Sequence, residues 1–204
     1  MWISSFIHNP CSKSNWLGEA NNHILGYNLN PRNQGFSSGG SSSGEGAMQA
    51  LRGSAVRFGT DIGGSVSMPA AFNGVFSIKP SVGRLPTLGM PNSSPGQMNI
   101  ATVPGLLANS NGSLRLVLKA VLSTEPWLTD PDVHPIPWRK PQDIKSNKLA
   151  FGFMETNGIA RSHPPILRAL NMAKNALQQK GHKGVIPWQG SSHQEASEIH
   201  VRRK

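Results

Sequence analysis

Two glycine–serine clusters carry the chemistry that this chain offers. The first is Gly39-Gly40-Ser41-Ser42-Ser43-Gly44-Glu45-Gly46, and the second is Asp61-Ile62-Gly63-Gly64-Ser65. Ser41 and Ser65 stand 24 residues apart. Glycine has no Cβ, so a glycine pair lets the backbone approach a ligand and turn several amides toward one point. Amides aimed at a developing oxyanion are the strongest single device in acyl transfer. A serine closing such a run is a candidate nucleophile. A phosphate-cradling turn or a plain turn is the alternative reading of each cluster. Neither cluster has the lysine of a P-loop, and Gly44-Glu45-Gly46 falls inside a helix start, not in a dinucleotide fingerprint. The Gly-x-Ser-x-Gly elbow is absent at both serines. The 7 histidines are scattered without zinc spacing, so no metal site is predicted. Cys11, the single cysteine, has no paired histidine and reads as an ordinary thiol.

The elements that must hold these clusters follow from local pattern. Ala47 to Arg52 is good helix material that Gly53 can end, and Ser42 with Glu45 resembles a capping box. Residues 44–53 are therefore expected to be helical and buried. Ala55–Gly59 reads as a strand running into the second cluster. Pro69–Phe72 reads as a helical turn, and Val75–Lys79 as a second strand. Residues 86–112, rich in Pro, Gly, Asn and Ser, predict a long surface loop. Ser113 is expected to cap a helix through Leu122 that is apolar on most faces and buried. Leu149–Met154 predicts a buried strand, and His163-Pro164-Pro165 opens a helix to about Lys180, with Gly181 after it and a strand at Val185-Ile186. Helices alternating with short apolar strands predict an α/β fold, a mixed β-sheet core flanked by helices.

Composition narrows the partners. The formal charge is +10, from 20 Lys and Arg against 10 Asp and Glu. A tenth of the chain being basic is ordinary, so the excess comes from missing acids. Residues 1–112 hold six bases and three acids, and residues 113–204 hold fourteen and seven. The densest cluster, His200 to Lys204, reads as a solvated tail. No basic stripe interleaved with aromatics appears, so no nucleic-acid partner is expected. No apolar run approaches a membrane span, and the first eight residues lack the pattern of a signal peptide. With a lone cysteine, a cytoplasmic location is expected.

At the two clusters the sequence resembles the amidase signature family. The resemblance rests on Gly39 to Ala47, Ala50-Leu51-Arg52-Gly53-Ser54, Gly59 to Ser65, Pro69-Ala70-Ala71-Phe72-Asn73-Gly74 and Lys79-Pro80-Ser81 with Gly83-Arg84. Pro126-Trp127, Pro135 to Arg139 and His163-Pro164-Pro165 resemble its fungal acetamidase-like branch. The resemblance divides the chain into an unmatched segment, residues 1–20, and a partial amidase signature domain, residues 21–204. It implies hydrolysis of a small carboxamide without cofactor or metal. It implies Ser65 as nucleophile and Ser41 as the cis-serine that relays its proton. Ile62, Gly63, Gly64 and the Ser65 amide then form the oxyanion hole, with Ser42 and Asp61 in support. Ser41 and Ser65 are therefore expected within hydrogen-bond reach.

Three departures accompany the resemblance. The family's base is a lysine well upstream of the serine-rich turn. The only lysine before Ser41 is Lys13, in the unmatched segment, so no base lysine stands at the expected position. Ser67 replaces an arginine, which predicts a turn without that ion pair, and Ser43 replaces a glycine. Full members exceed twice this length, so apolar surface is expected to be left uncovered. An inactive amidase fragment is the alternative that these departures raise. A basic binding module is the other, resting on the charge alone.

Overall fold

The computed structural model describes residues 18, 20–22, 26–90, 99–139, 149–182, 185–187 and 192–202. Lys13, Cys11 and nearly all of the segment 1–20 lie outside the described residues, as does the end of the basic tail. The chain divides into two compact units, Met1–Arg139 and Lys140–Lys204.

The first unit carries both clusters. It opens with two small antiparallel hairpins, β1 (Asn21–Asn22) with β2 (Gly26–Tyr27) and β3 (Leu29–Asn30) with β4 (Asn33–Ser37). Helix α1 (Ser43–Ala50) follows the first cluster, and strand β5 (Val56–Asp61) leads into the second. Helix α2 (Ser67–Asn73) follows Ser65, then come β6 (Phe76–Ile78), β7 (Val103–Ala108) and α3 (Asn111–Leu122). Strands β5, β7 and β6 form an antiparallel sheet in that order, with Phe58 and Ile78 both opposite Leu106.

The central strand corrects a sequence expectation. Residues 86–112 were expected to be a surface loop, yet β7 lies within them, and Leu106, Leu107 and Ala108 are fully buried. Pro104 hides the strand, since proline is rare inside sheets. Gly105 reads as a breaker but is needed there, because a Cβ would stand 3.0 Å from the Ile78 carbonyl oxygen and 3.0 Å from Val66 Cγ2. Alternation along β7 then builds two cores. Leu106 and Ala108 pack with Leu85, Leu114, Leu118 and Leu122 on one face. Leu107 packs with Val66 and Ala70 on the other, behind the second cluster.

Helix α3 is also corrected. Its cap is Ser110, whose side chain accepts the Ser113 N–H at 3.1 Å, so Ser113 stands inside the helix. Only the i, i+4, i+8 stripe of Leu114, Leu118 and Leu122 is buried, whereas Leu116 is 69% exposed. The helix is amphipathic because it covers one face of a small sheet. Uncovered apolar surface is present as expected, at Phe36, Phe58, Phe72 and Phe76 among others.

The second unit holds β8 (Phe151–Phe153), α4 (Pro164–Gln179), β9 (Val185–Pro187) and α5 (His193–Arg202). Strands β8 and β9 pair in parallel across α4, a βαβ connection. The α4 and β9 positions agree with the sequence pattern, and Gly181 adopts the positive φ expected just past α4. Strand β8 is only partly buried, contrary to expectation, with Phe151 packed edge-on against His182. No residue of α4 is buried, although Leu167, Leu170 and Leu177 share one face. No helix among the described residues is long and apolar enough to cross a membrane.

Candidate active site

Ser65 is buried, and its turn is wrapped around a single carboxylate. Asp61, the last residue of β5, is fully buried. Its Oδ1 accepts the Gly64 N–H at 2.7 Å. Its Oδ2 accepts the Val66 N–H at 2.8 Å, the Ser67 N–H at 3.3 Å and the Ser67 hydroxyl at 3.2 Å. The charge therefore closes the turn on both sides of Ser65. Burial of this carboxyl works to raise its pKa. The N–H groups of Val66, Gly64 and Ser67, with the Ser67 hydroxyl, outweigh burial and hold it below the ordinary aspartate value. Ser67, expected to leave the turn short of a partner, instead contributes two of the four hydrogen bonds.

The same geometry sorts the candidate oxyanion-hole amides. Gly64 N–H is already donated to Asp61. The N–H groups of Ile62, Gly63 and Ser65 make no hydrogen bond among the described residues. Gly64 also adopts φ +116°, where side chains are strained, and a Cβ there would meet Met68 Cε at 3.2 Å. Glycine is thus required at Gly64 by backbone conformation. Ile62 and Gly63 are exposed, so the three uncommitted amides border the surface of this unit.

Ser41 is partly buried and sits just before α1, after a cis Gly40–Ser41 peptide. Its turn is held by neighbours. Buried Asn73, at the end of α2, donates through Nδ2 to the Ser38 carbonyl at 2.9 Å and the Pro69 carbonyl at 2.8 Å. Gly39 abuts the α2 backbone, where a Cβ would lie 3.2 Å from Pro69 Cα. Ser42 does not cap α1 with its side chain, contrary to the capping-box expectation. Its hydroxyl accepts the Thr60 N–H at 3.3 Å and lies 3.4 Å from the Thr60 carbonyl. Glu45 instead pairs with Arg57, with Arg57 Nη1 at 3.3 Å. At the far end of α1, Arg52 and not Gly53 takes the left-handed position. The Gly53 N–H then reaches the Met48 carbonyl and the Arg52 N–H the Gln49 carbonyl.

The two turns meet through the backbone. Ser42 N–H donates to the Ser65 carbonyl at 3.0 Å, which sets the Ser41 segment beside the Ser65 segment. The expected contact between the two hydroxyls is absent as a hydrogen bond, because neither serine side chain has a hydrogen-bond partner among the described residues. No lysine is bonded to either serine among those residues. Sequence reading missed Thr60, Ser67, Asn73 and Arg57 as supports. Asn73 alone had a visible signal, as a polar residue ending a helix before a left-handed Gly74. No metal-ligating cluster occurs among the described residues. The second unit has a separate groove of about 780 Å³ along the start of α4, lined by Arg161, His163, Leu167, Arg168 and Asn171 among others. It includes none of the candidate residues.

Comparison with known proteins bears on this arrangement. A family model described as Amidase matches residues 6–202. An acetamidase of Aspergillus oryzae is 46% identical over 86% of this chain and 33% of its own length. An acetamidase of Emericella nidulans is 44% identical over 86% of this chain and 33% of its own length. Among solved structures, a fatty acid amide hydrolase superposes with a TM-score of 0.83 at 36% identity, covering 88% of this chain and 32% of that protein. The chain thus spans about a third of the relatives that it matches.

Proposed function

The chain belongs to the amidase family, and from that premise we propose that its whole protein hydrolyses the C–N bond of a small carboxamide through a serine acyl-enzyme. The observation that carries the reading is the Ser65 turn. A buried serine stands beside amides of Ile62, Gly63 and its own N–H that have no partner among the described residues. In this reading Ser65 Oγ attacks the amide carbonyl, and those amides receive the oxyanion as it forms. Gly64 serves through its backbone conformation, and Asp61 holds the turn. Ser41 relays the Ser65 proton toward a base and returns it to the leaving amine. Water then repeats the attack on the ester and releases the acid.

A hydroxyl needs a base to act at neutral pH. The described residues offer no lysine bonded to either serine. We place the base outside them, in a chain longer than these 204 residues. The same proposal covers residues 21–204 as part of one amidase domain, a cytoplasmic location and no nucleic-acid partner. The amide substrate follows from the family and from relatives named acetamidase.

The unlinked Ser41 and Ser65 hydroxyls favour one second reading, in which this stretch alone folds but does not turn over. A fluorophosphonate probe separates the two. Labelling of the folded chain that is lost in Ser65→Ala supports a competent nucleophile here. Labelling only when an upstream lysine-bearing segment is supplied assigns competence to the longer protein. Labelling in neither sinks the hydrolase reading. Salt-sensitive retention on heparin would revive a basic binding module.

A further inference from the structure

The face that α1 turns toward β5 is polar and buried. Ser42, Glu45 and Gln49 lie at i, i+3 and i+7, on one side of the helix, and are 9%, 7% and 0% exposed. Their partners descend as they ascend. Ser42 bonds Thr60. Glu45 pairs with Arg57. Gln49 exchanges two hydrogen bonds with Ser54, at 3.1 Å and 3.2 Å. Residues 42–49, α1 with its N-cap, and residues 54–60, the approach to β5 and most of the strand, are therefore laced antiparallel by three polar links; the charged one joins helix to strand directly.

We propose that Glu45 and Arg57 are positioning residues, a buried ionic lock that fixes the register of α1 on β5 and so the placement of the Ser41 turn beside the Ser65 turn. The catalytic half of this statement rests on the amide-hydrolase reading above; the register half does not. The argument is one of uniqueness. Neutral links slip easily, because a serine hydroxyl or a glutamine amide can bond whichever carbonyl the strand next presents. The charged link cannot. Glu45 is the only acid of α1 and Arg57 the only base of β5. The other charge of β5 is the Asp61 carboxylate. Sliding the strand by two residues, which keeps its faces, would carry the buried Arg57 away from the counter-charge that it has on α1. A lone buried charge is far more costly than a lone hydroxyl, so the pair specifies one register. The pair has little latitude, with side chains 10% and 9% exposed, and Arg57 Nε has no acceptor among the described residues. The register it sets is the one that delivers the Ser42 N–H to the Ser65 carbonyl.

The test is residue-resolved amide exchange by NMR on the full 204-residue chain, comparing wild type, Arg57→Lys and the neutral double variant Glu45→Gln with Arg57→Met. The reporters are the Ser42 amide, bonded to Ser65, and the Thr60 amide, bonded to the Ser42 hydroxyl. The controls are the amides of Leu118 and Leu122, buried in α3 and outside the β5–β7 ladder. The lock predicts exchange at both reporters faster by roughly tenfold in the double variant and by a few-fold in Arg57→Lys, with the controls unchanged. Unchanged reporters in the folded variants, or equal acceleration at Leu118 and Leu122, would overturn it. Arg57→Lys keeps a cation beside Glu45, so it decides the question if the double variant does not fold. Where wild type labels with a fluorophosphonate, the labelling rate per folded molecule should fall in the same order. Wild type that labels neither alone nor with the upstream lysine-bearing segment supplied refutes the hydrolase reading and leaves the exchange result to judge the lock.

Discussion

The turns that present Ser65 and Ser41 are built by opposite means. The Ser65 turn is closed from within, because Asp61, four residues before the serine, collects bonds from Gly64, Val66 and Ser67. The Ser41 turn is closed from outside. Asn73 pins its approach, Thr60 takes the hydroxyl of Ser42, and the Ser65 carbonyl takes the Ser42 N–H. A self-contained turn keeps its shape as long as one carboxylate stays ionised. A turn held by neighbours depends on how α1, β5 and α2 pack. The oxyanion amides therefore belong to a local feature of the chain, whereas the relay serine belongs to the tertiary structure. Completing the serine pair is then a matter of packing, and the missing hydroxyl contact falls on the side of the comparison that packing controls.

The largest expected effect breaks the self-contained turn. Asp61→Ala leaves three backbone N–H groups without their acceptor, and we expect a loss of about 3 kcal/mol or more in denaturant unfolding. Fluorophosphonate labelling of Ser65 should disappear with it. A smaller loss, about 2 kcal/mol, is expected for Gly59→Ala, which attacks the externally held turn. The new Cβ would stand 2.5 Å from the Ser42 hydroxyl and 3.0 Å from Val66 Cγ2. Protection at the Gly64 amide should survive this change while protection at the Thr60 amide falls. Joint loss of both would show that the turns are one unit.

Ser67→Ala removes one of the four hydrogen bonds to Asp61 and should cost about 1 kcal/mol, with Val66 and Gly64 still in place. The mildest perturbation is acid. Asp61 has a folded pKa below its unfolded value, so its contribution is present above the ordinary aspartate pKa of about 3.9 and is lost as pH falls through the lower, folded value. Asp130, buried under the Thr87 and Leu88 amides, has its pKa lowered in the same way and should act in the same direction. Exchange at the Gly64 and Val66 amides, followed downward from about pH 5, should stay slow past that ordinary value and then accelerate. Acceleration already well above it would show that the carboxylate is not held as described.

Much of this was legible in the sequence, for reasons that differ by element. The serine clusters announce themselves because glycine pairs have few other uses, and the family resemblance rests on those same residues. Helix α4 was readable from its period and from Pro164 and Gly181 at its ends. Strand β7 was not, because Pro104 and Gly105 mimic a loop while the packing of Val66 and Ile78 demands a glycine there. The capping box was misread because Ser42 and Glu45 both have better partners on β5 than along the helix. Local pattern shows which side chains are available, and only tertiary contact decides which of them they bond. That is also why Asp61 was assigned as support while Ser67 was read only as a lost ion pair and Thr60 and Asn73 only as parts of the motif.

The most direct test of the central claim is covalent labelling of Ser65. A fluorophosphonate is applied to the full-length protein and to its Ser65→Ala, Ser41→Ala and Asp61→Ala variants, with folding checked by circular dichroism and the labelled peptide identified by mass spectrometry. The account predicts one phosphonylated residue, Ser65, with labelling abolished in Ser65→Ala and Asp61→Ala and strongly slowed in Ser41→Ala. Phosphonylation of a different residue, or undiminished labelling in folded Ser65→Ala protein, would contradict it.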